Sequence, residues 1–141
     1  MQPKIIKGDI FSDDRGILTF VNDFDFKKVK RFYMVENHKA GFVRAWHGHK
    51  KEAKYIFAAS GSVMVAALPL DAEDDSVPMA YCLAEKEPAV LYIPPGYYNG
   101  FKTLSDDARI LFFSTSTLEQ SKDDDIRQPA TKWNIWNDEW R

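Results

Sequence analysis

The 141-residue chain has one cysteine, Cys82, so no disulfide can form within it. It also has no apolar run near the roughly 20 residues of a membrane span, and no charged start followed by an apolar signal segment. The cytoplasm is therefore the expected address, and no membrane partner is expected. The formal net charge is only −2, and the lysines and arginines are spread along the chain. That distribution lacks the concentrated basic face needed to hold a polyanion, which argues against a nucleic-acid partner. Amphipathic patterning of helical period never lasts more than about two turns, so helices are expected to be minor. Neither an internal repeat nor a linker is present, and residues 1–141 are expected to form a single domain.

What the sequence does contain is a succession of short apolar or alternating stretches: Pro3–Ile6, Gly16–Val21, Lys30–Val35, Gly41–Trp46, Ala53–Ala59, Ser62–Leu68, Met79–Leu83, Ala89–Ile93 and Ala108–Ser114. They are rich in Val, Ile, Phe and Tyr and are separated by turn formers, as expected for an all-β barrel or sandwich of antiparallel strands. Ser60-Gly61 reads as a tight hairpin. The acidic stretch Asp71–Pro78 reads as a solvated loop. The composition, 45% hydrophobic and 28% charged, is that of a chain able to bury a core unaided. From Thr117 onward the character changes: Lys122-Asp123-Asp124-Asp125 is followed by Trp133, Trp136 and Trp140. Exposing those indoles would be costly, so the tail is expected to pack back on the barrel or across a partner copy.

The candidate chemistry centres on Arg44-Ala45-Trp46-His47-Gly48-His49-Lys50. Residues two apart on a strand point to the same side, so His47 and His49 can enter one pocket. Such a pair serves either as metal ligands or as acid/base and hydrogen-bonding groups, and the spacing does not choose. His38, in Glu36-Asn37-His38-Lys39, reads as a surface turn residue.

Gly41, His47, His49 and Gly61 fit the first motif of the cupin superfamily, whose fold is a double-stranded β-helix, or jelly roll. Glu52 falls early for that motif's acidic ligand, and Lys54 stands in its place. The second motif appears as Pro94-Pro95-Gly96-Tyr97-Tyr98-Asn99, with asparagine for histidine. A cation at Lys54 would repel a divalent metal, so neither a metal nor another cofactor is expected. Glu52 could be reached through a bulge, which leaves a metal-dependent cupin as an alternative.

A more specific resemblance covers nearly the whole chain. Asp14-Arg15-Gly16, Arg44-x-x-His47, Lys54 before Gly61, and Ile93 through Phe101 together resemble the dTDP-4-dehydrorhamnose 3,5-epimerases. Lys30-Arg31-Phe32-Tyr33, Asn37 and His47-x-His49-Lys50 resemble the related 3,4-ketoisomerases of dTDP-4-keto-6-deoxyglucose. The resemblance implies an enzyme of surface polysaccharide synthesis acting on a nucleotide-linked keto sugar. His47 would be the general base and Lys54 the cation at the enolate oxygen, with His49 and Tyr33 moving or holding the second proton. Arg15 and Arg44 would hold the nucleotide diphosphate and sugar, with Tyr98 and Asn99 as further substrate contacts.

Two departures qualify this reading. The tyrosine that those epimerases carry on a late strand is replaced within Ile110-Leu111-Phe112-Phe113, and phenylalanine cannot donate a proton. The aspartate that supports the histidine is expected beyond Arg141. A ketoisomerase or single epimerase needs less than a double epimerase, and a non-catalytic sugar-nucleotide-binding cupin is the other alternative. A homodimer is expected in each case.

Overall fold

The computed structural model describes residues 1–137; Trp140 lies outside the described residues. Twelve strands and one short helix follow in order: β1 (Lys4–Lys7), β2 (Asp9–Asp13), β3 (Gly16–Phe20), β4 (Arg31–Val35), β5 (Val43–His49), β6 (Lys54–Ser60), β7 (Ser62–Pro69), β8 (Met79–Ala84), β9 (Ala89–Ile93), β10 (Tyr97–Thr103), β11 (Arg109–Ser114), α1 (Leu118–Asp123) and β12 (Ile126–Arg127). Two five-stranded antiparallel sheets form, ordered β1-β9-β6-β11-β4 and β12-β5-β10-β7-β8, while β2 and β3 make a separate hairpin. This is the all-β architecture expected from the alternating segments.

The core lies between the sheets because alternate residues of each strand turn inward. On β6 these are Lys54, Ile56 and Ala58; they share the interior with Val63, Val65, Leu91, Ile110 and Phe112. A second apolar cluster covers the outer side of the β5-containing sheet, where Trp46, Leu68 and Tyr98 pack against Trp133 and Trp136 of the tail. The two tail indoles are thus buried on the barrel itself. The indole of Trp46 donates to the Lys132 carbonyl at 2.6 Å, and that of Trp133 to the Glu73 carbonyl at 2.7 Å.

Three strands depart from the sequence expectation: β2, β10 and the two-residue β12 in the tail. β2 is short and polar, and it pairs only with β3, so no core demands an apolar alternation from it. β10 is central, bonded to both β5 and β7, although Asn99-Gly100 in its middle carries a turn signal. Gly100 is needed there: a Cβ would lie 2.5 Å from that of Ala45 and 3.1 Å from the Trp136 ring.

The expected Ser60-Gly61 hairpin joins β6 to β7. Gly61 has φ +66°, and a Cβ on it would come within 2.2 Å of Ser105 Oγ and 2.8 Å of Ala108 Cα. Gly61→Ala therefore combines a left-handed backbone with a backbone clash, and we expect a loss of about 2 kcal/mol or more. Chemical denaturation measures it; an unchanged midpoint would contradict the packed turn.

Candidate active site

In an unbroken strand Arg44 and His47, three residues apart, would face opposite sides. Along the β5–β10 pair, however, Asn99 aligns with His47 and Phe101 with Arg44, so β5 holds one extra residue in that interval. This bulge turns both side chains to the inner face. His49 follows two residues later on the same face, while Trp46 goes to the tail cluster outside. β5 runs through His49, so the histidines lie within the strand rather than after it.

The neighbouring strands complete a cavity of about 360 Å³, a size suited to a small polar ligand. β10 contributes Asn99, whose side-chain amide donates to the His47 carbonyl at 3.3 Å, and Phe101. β6 contributes Lys54, only 8% exposed. Tyr33 comes from β4, opposite Phe112 of β11 in register, and the two rings stack with centroids 5.0 Å apart. The remaining wall is the C-terminal segment: Ser121 and Lys122 of α1, then Asp125 and Arg127. A Thr117–Gln120 capping box starts that helix. At the rim, Arg44 Nε donates to Asn37 Oδ1 at 2.9 Å, and Asn37 in turn donates to Thr103 Oγ1 at 3.1 Å, which fixes the guanidinium.

The electrostatics separate the groups. Burial, reinforced by the Lys54 and Arg127 cations, pushes His47 down to about 4 against the opposing pull of Asp125, so its imidazole is neutral at pH 7. Burial, with the nearby Glu52 charge adding to it, pushes Tyr33 up to about 12, so its phenol keeps its proton. Burial lowers Lys54, and Glu52 opposes that shift. Glu52 itself is 2% exposed, with Oε2 3.7 Å from both Lys54 Nζ and His49 Nε2.

His49 is held from behind as well. Its Nδ1 lies 2.8 Å from the Asp124 carbonyl, an acceptor only, so the proton sits on Nδ1. The Asp124 carboxylate takes the backbone N–H groups of Lys50, Lys51 and Glu52 at 2.8 to 3.1 Å. Burial alone would raise Asp124, but these bonds outweigh it and hold it below the ordinary value. Aspartates from the C-terminal segment therefore do reach the histidines, Asp124 at His49 and Asp125 near His47, where the sequence expectation placed the supporting aspartate beyond Arg141.

Tyr33, Arg44, His47, His49, Lys54 and Asn99 thus share one cavity. Tyr98 and Arg15 do not enter it. Tyr98 neighbours Asn99 on β10 and so faces the other way, over Gly48 and 5.3 Å from the Trp133 ring. Arg15 sits at the tip of the β2–β3 hairpin, its side chain 83% exposed and paired with Asp13. Sequence reasoning missed the roles of Lys122, Asp125 and Arg127 as walls, and considered Glu52 only as a metal ligand. The residues fit a cupin metal poorly: the Lys54 ammonium sits beside Glu52 and Asn99 replaces a histidine. Among the described residues, no group of three or more His, Cys, Asp or Glu side chains is arranged to hold a metal. No helix among them is long and apolar enough to cross a membrane.

Comparison with known proteins finds relatives in both sequence and structure. The chain is 28% identical to the spore coat polysaccharide biosynthesis protein SpsL of Bacillus subtilis, over 92% of this chain and 91% of that one. It is 26% identical to the dTDP-4-dehydrorhamnose 3,5-epimerase of Salmonella typhimurium, over 96% of this chain and 76% of that one. Among solved structures, the 3,4-ketoisomerase QdtA of Thermoanaerobacterium thermosaccharolyticum, a double mutant in complex with TDP, superposes with a TM-score of 0.73 at 23% identity, over 90% of this chain and 88% of that one. The FdtA family model, described as WxcM-like, C-terminal, matches residues 1–134, and the chain belongs to that family.

Proposed function

We propose that the protein is a cofactor-independent epimerase or ketoisomerase. Its substrate is a nucleotide-linked 4-keto-6-deoxyhexose, a dTDP sugar in the first instance, on the way to a surface polysaccharide. The observation that carries this reading is the meeting of a neutral, half-buried imidazole, His47, with a buried ammonium, Lys54, in one sugar-sized cavity. A carbon acid next to a ketone needs that pair: a base for the proton, and a cation where the oxygen gains charge. The spore-coat and epimerase relatives support the same substrate class.

In this mechanism His47 takes a proton from a ring carbon beside the ketone; the C–H electron pair forms the carbon–carbon double bond and the carbonyl π pair moves onto oxygen, where Lys54 stabilises the enolate. Reprotonation of the same carbon completes an epimerisation; in a ketone shift the former carbonyl carbon takes the proton while the hydroxyl on the deprotonated carbon gives up its own and the enolate oxygen gains one. Tyr33 supplies the donor that Phe112 cannot, since the two rings stack face to face and the phenol sits in the same cavity. His49, tied to Asp124, orients the substrate and relays the second proton. Arg44 and Asn99 bind the substrate at the rim and floor, a planar guanidinium being suited to phosphate.

The protein works as a homodimer in the cytoplasm in this reading. Phe32 is 67% exposed on edge strand β4, beside Phe113, Phe24 and Phe26, and such an aromatic face is suited to a second copy. A solution mass of twice 16.2 kDa by light scattering is expected, and a lone 16.2 kDa species at tens of micromolar would refute it.

Deuterium incorporation from solvent into dTDP-4-keto-6-deoxyglucose, followed by proton NMR, tests the chemistry. The wild type should exchange a ring proton and form product, and His47→Asn should lower exchange by about 10² to 10⁴-fold. Retained exchange in that variant would remove His47 as the base, and binding without exchange in the wild type would make the protein a binding module. The pH profile carries the sign of the His47 shift: the imidazole must be neutral, so kcat/KM should rise through an acid limb near about 4 and stay high to neutrality. A limb at the ordinary histidine value would mean that the base is not His47.

A further inference from the structure

Glu52 is the buried charged group that the proposed chemistry does not use. It leaves β5 at the corner before β6, turned inward by the Asp124 clasp on the backbone of Lys50, Lys51 and Glu52. Both carboxylate oxygens are sealed from solvent and accept no hydrogen bond. Oε2 stands at 3.7 Å from the ammonium of Lys54 and, on the other side, from Nε2 of His49. A buried carboxylate in this state costs stability: desolvation commonly exceeds what an ion pair returns, and an apolar residue of the same volume often does as well or better. Fold stability alone therefore accounts poorly for Glu52.

We propose that Glu52 is a positioning residue for the proton-transfer reaction, acting through Lys54, which it faces in a buried cluster behind the substrate with His49 on its other side. The inference rests on the proton-transfer reading of the cavity. Glu52 does not line the cavity itself; both of its partners do. Its task is to keep Lys54 an ammonium where burial favours the neutral amine, and to aim that ammonium at the ketone oxygen.

The titratable and charged groups around the cluster come from every neighbouring element. They are His47 and His49 on β5, Lys54 on β6, Tyr33 and Arg31 on β4, and Asp124 and Asp125 after α1. On Lys54, burial and Arg31 favour the neutral form, and Glu52 is the foremost influence against them, ahead of Asp125. Removing the Glu52 charge should let Lys54 lose its proton at lower pH. Activity needs the ammonium and is lost as pH rises through the Lys54 titration, so the alkaline limb should move to lower pH.

The test compares wild type, Glu52→Gln and Glu52→Asp in protein labelled with 13C at lysine Cε, the Lys54 signal being assigned by its loss in Lys54→Arg. The Lys54 titration midpoint should fall by about one pH unit or more in Glu52→Gln and lie between the two in Glu52→Asp, which keeps the charge but draws it back by one carbon. With dTDP-4-keto-6-deoxyglucose, kcat in Glu52→Gln should drop by roughly tenfold or more with KM nearly unchanged, because the lost group touches the transition state only through Lys54. A folded Glu52→Gln whose Lys54 midpoint equals that of the wild type overturns the proposal. If Glu52→Gln does not fold, an unshifted midpoint in Glu52→Asp overturns it equally. Should the wild type turn over no keto sugar, the proton-transfer reading fails by itself, while the Lys54 midpoint still decides whether Glu52 controls that lysine.

Discussion

Strand β5 makes use of both faces, and most of the architecture follows from satisfying them at once. Its inner face carries Arg44, His47 and His49 into a polar cavity, while its outer face carries Trp46 against the tail indoles Trp133 and Trp136. Tail and sheet can approach closely enough only because Gly48 and Gly100 have no side chains: a Cβ on Gly48 would meet the Tyr98 ring and Leu70 at 2.7 Å. The same docking brings β12 alongside β5, pairing Ile126 with Gly48 and Arg127 with His47. The tail that seals the hydrophobic outer face thereby also builds the fourth wall of the cavity, so stability and site assembly are coupled through a single strand.

The cavity is a case of environment setting opposite protonation states on neighbouring groups. Burial is the largest influence on both groups and disfavours their charged forms, so the His47 imidazole stays neutral, the Lys54 and Arg127 cations reinforcing this, and the Tyr33 phenol keeps its proton, Glu52 adding to that. In the proposed reaction Lys54 is the group for which burial works against function, since enolate stabilisation requires the ammonium. A carboxylate behind it is the cheapest remedy that geometry allows, and the Asp124 clasp places one there by shaping the corner between β5 and β6. Three backbone hydrogen bonds from one aspartate thus connect the C-terminal segment to the charge of a lysine on another strand.

The fold was legible because most strands carry one apolar face, and period-two alternation reports that directly. β10 was obscured because both of its faces are buried and Asn99-Gly100 interrupts it, a pattern set by packing against Ala45 and Trp136 that local sequence does not display. That His47 and His49 face one pocket was visible as spacing, and the structure brings Lys54 into the same cavity. The exclusion of Tyr98 follows from parity once β10 is a strand, since neighbours on a strand cannot both face inward. That Arg44 and His47 share a face despite odd spacing could not be read, because the bulge is defined by the register with β10. No role for Asp124 and Asp125 was read from the sequence, and only the return of the tail along β5 brings them to the histidines.

The resemblance to the epimerases implies a tyrosine in the β11 stretch whose cavity-facing residue here is Phe112, and that difference bears on the outcome of the proposed reaction. Tyr33 lies on the adjacent strand β4 at the same register, its ring parallel to that of Phe112. The phenol is therefore kept at the same height in the barrel but displaced sideways by one strand, about 4.8 Å in a β-sheet. A shift of that size exceeds a carbon–carbon bond several-fold, enough to redirect a proton from one ring carbon to another while His47 and Lys54 stay in place. In the proposed enzyme the base and the enolate-stabilising cation define where the reaction begins, and the strand that carries the phenol defines where the proton is returned.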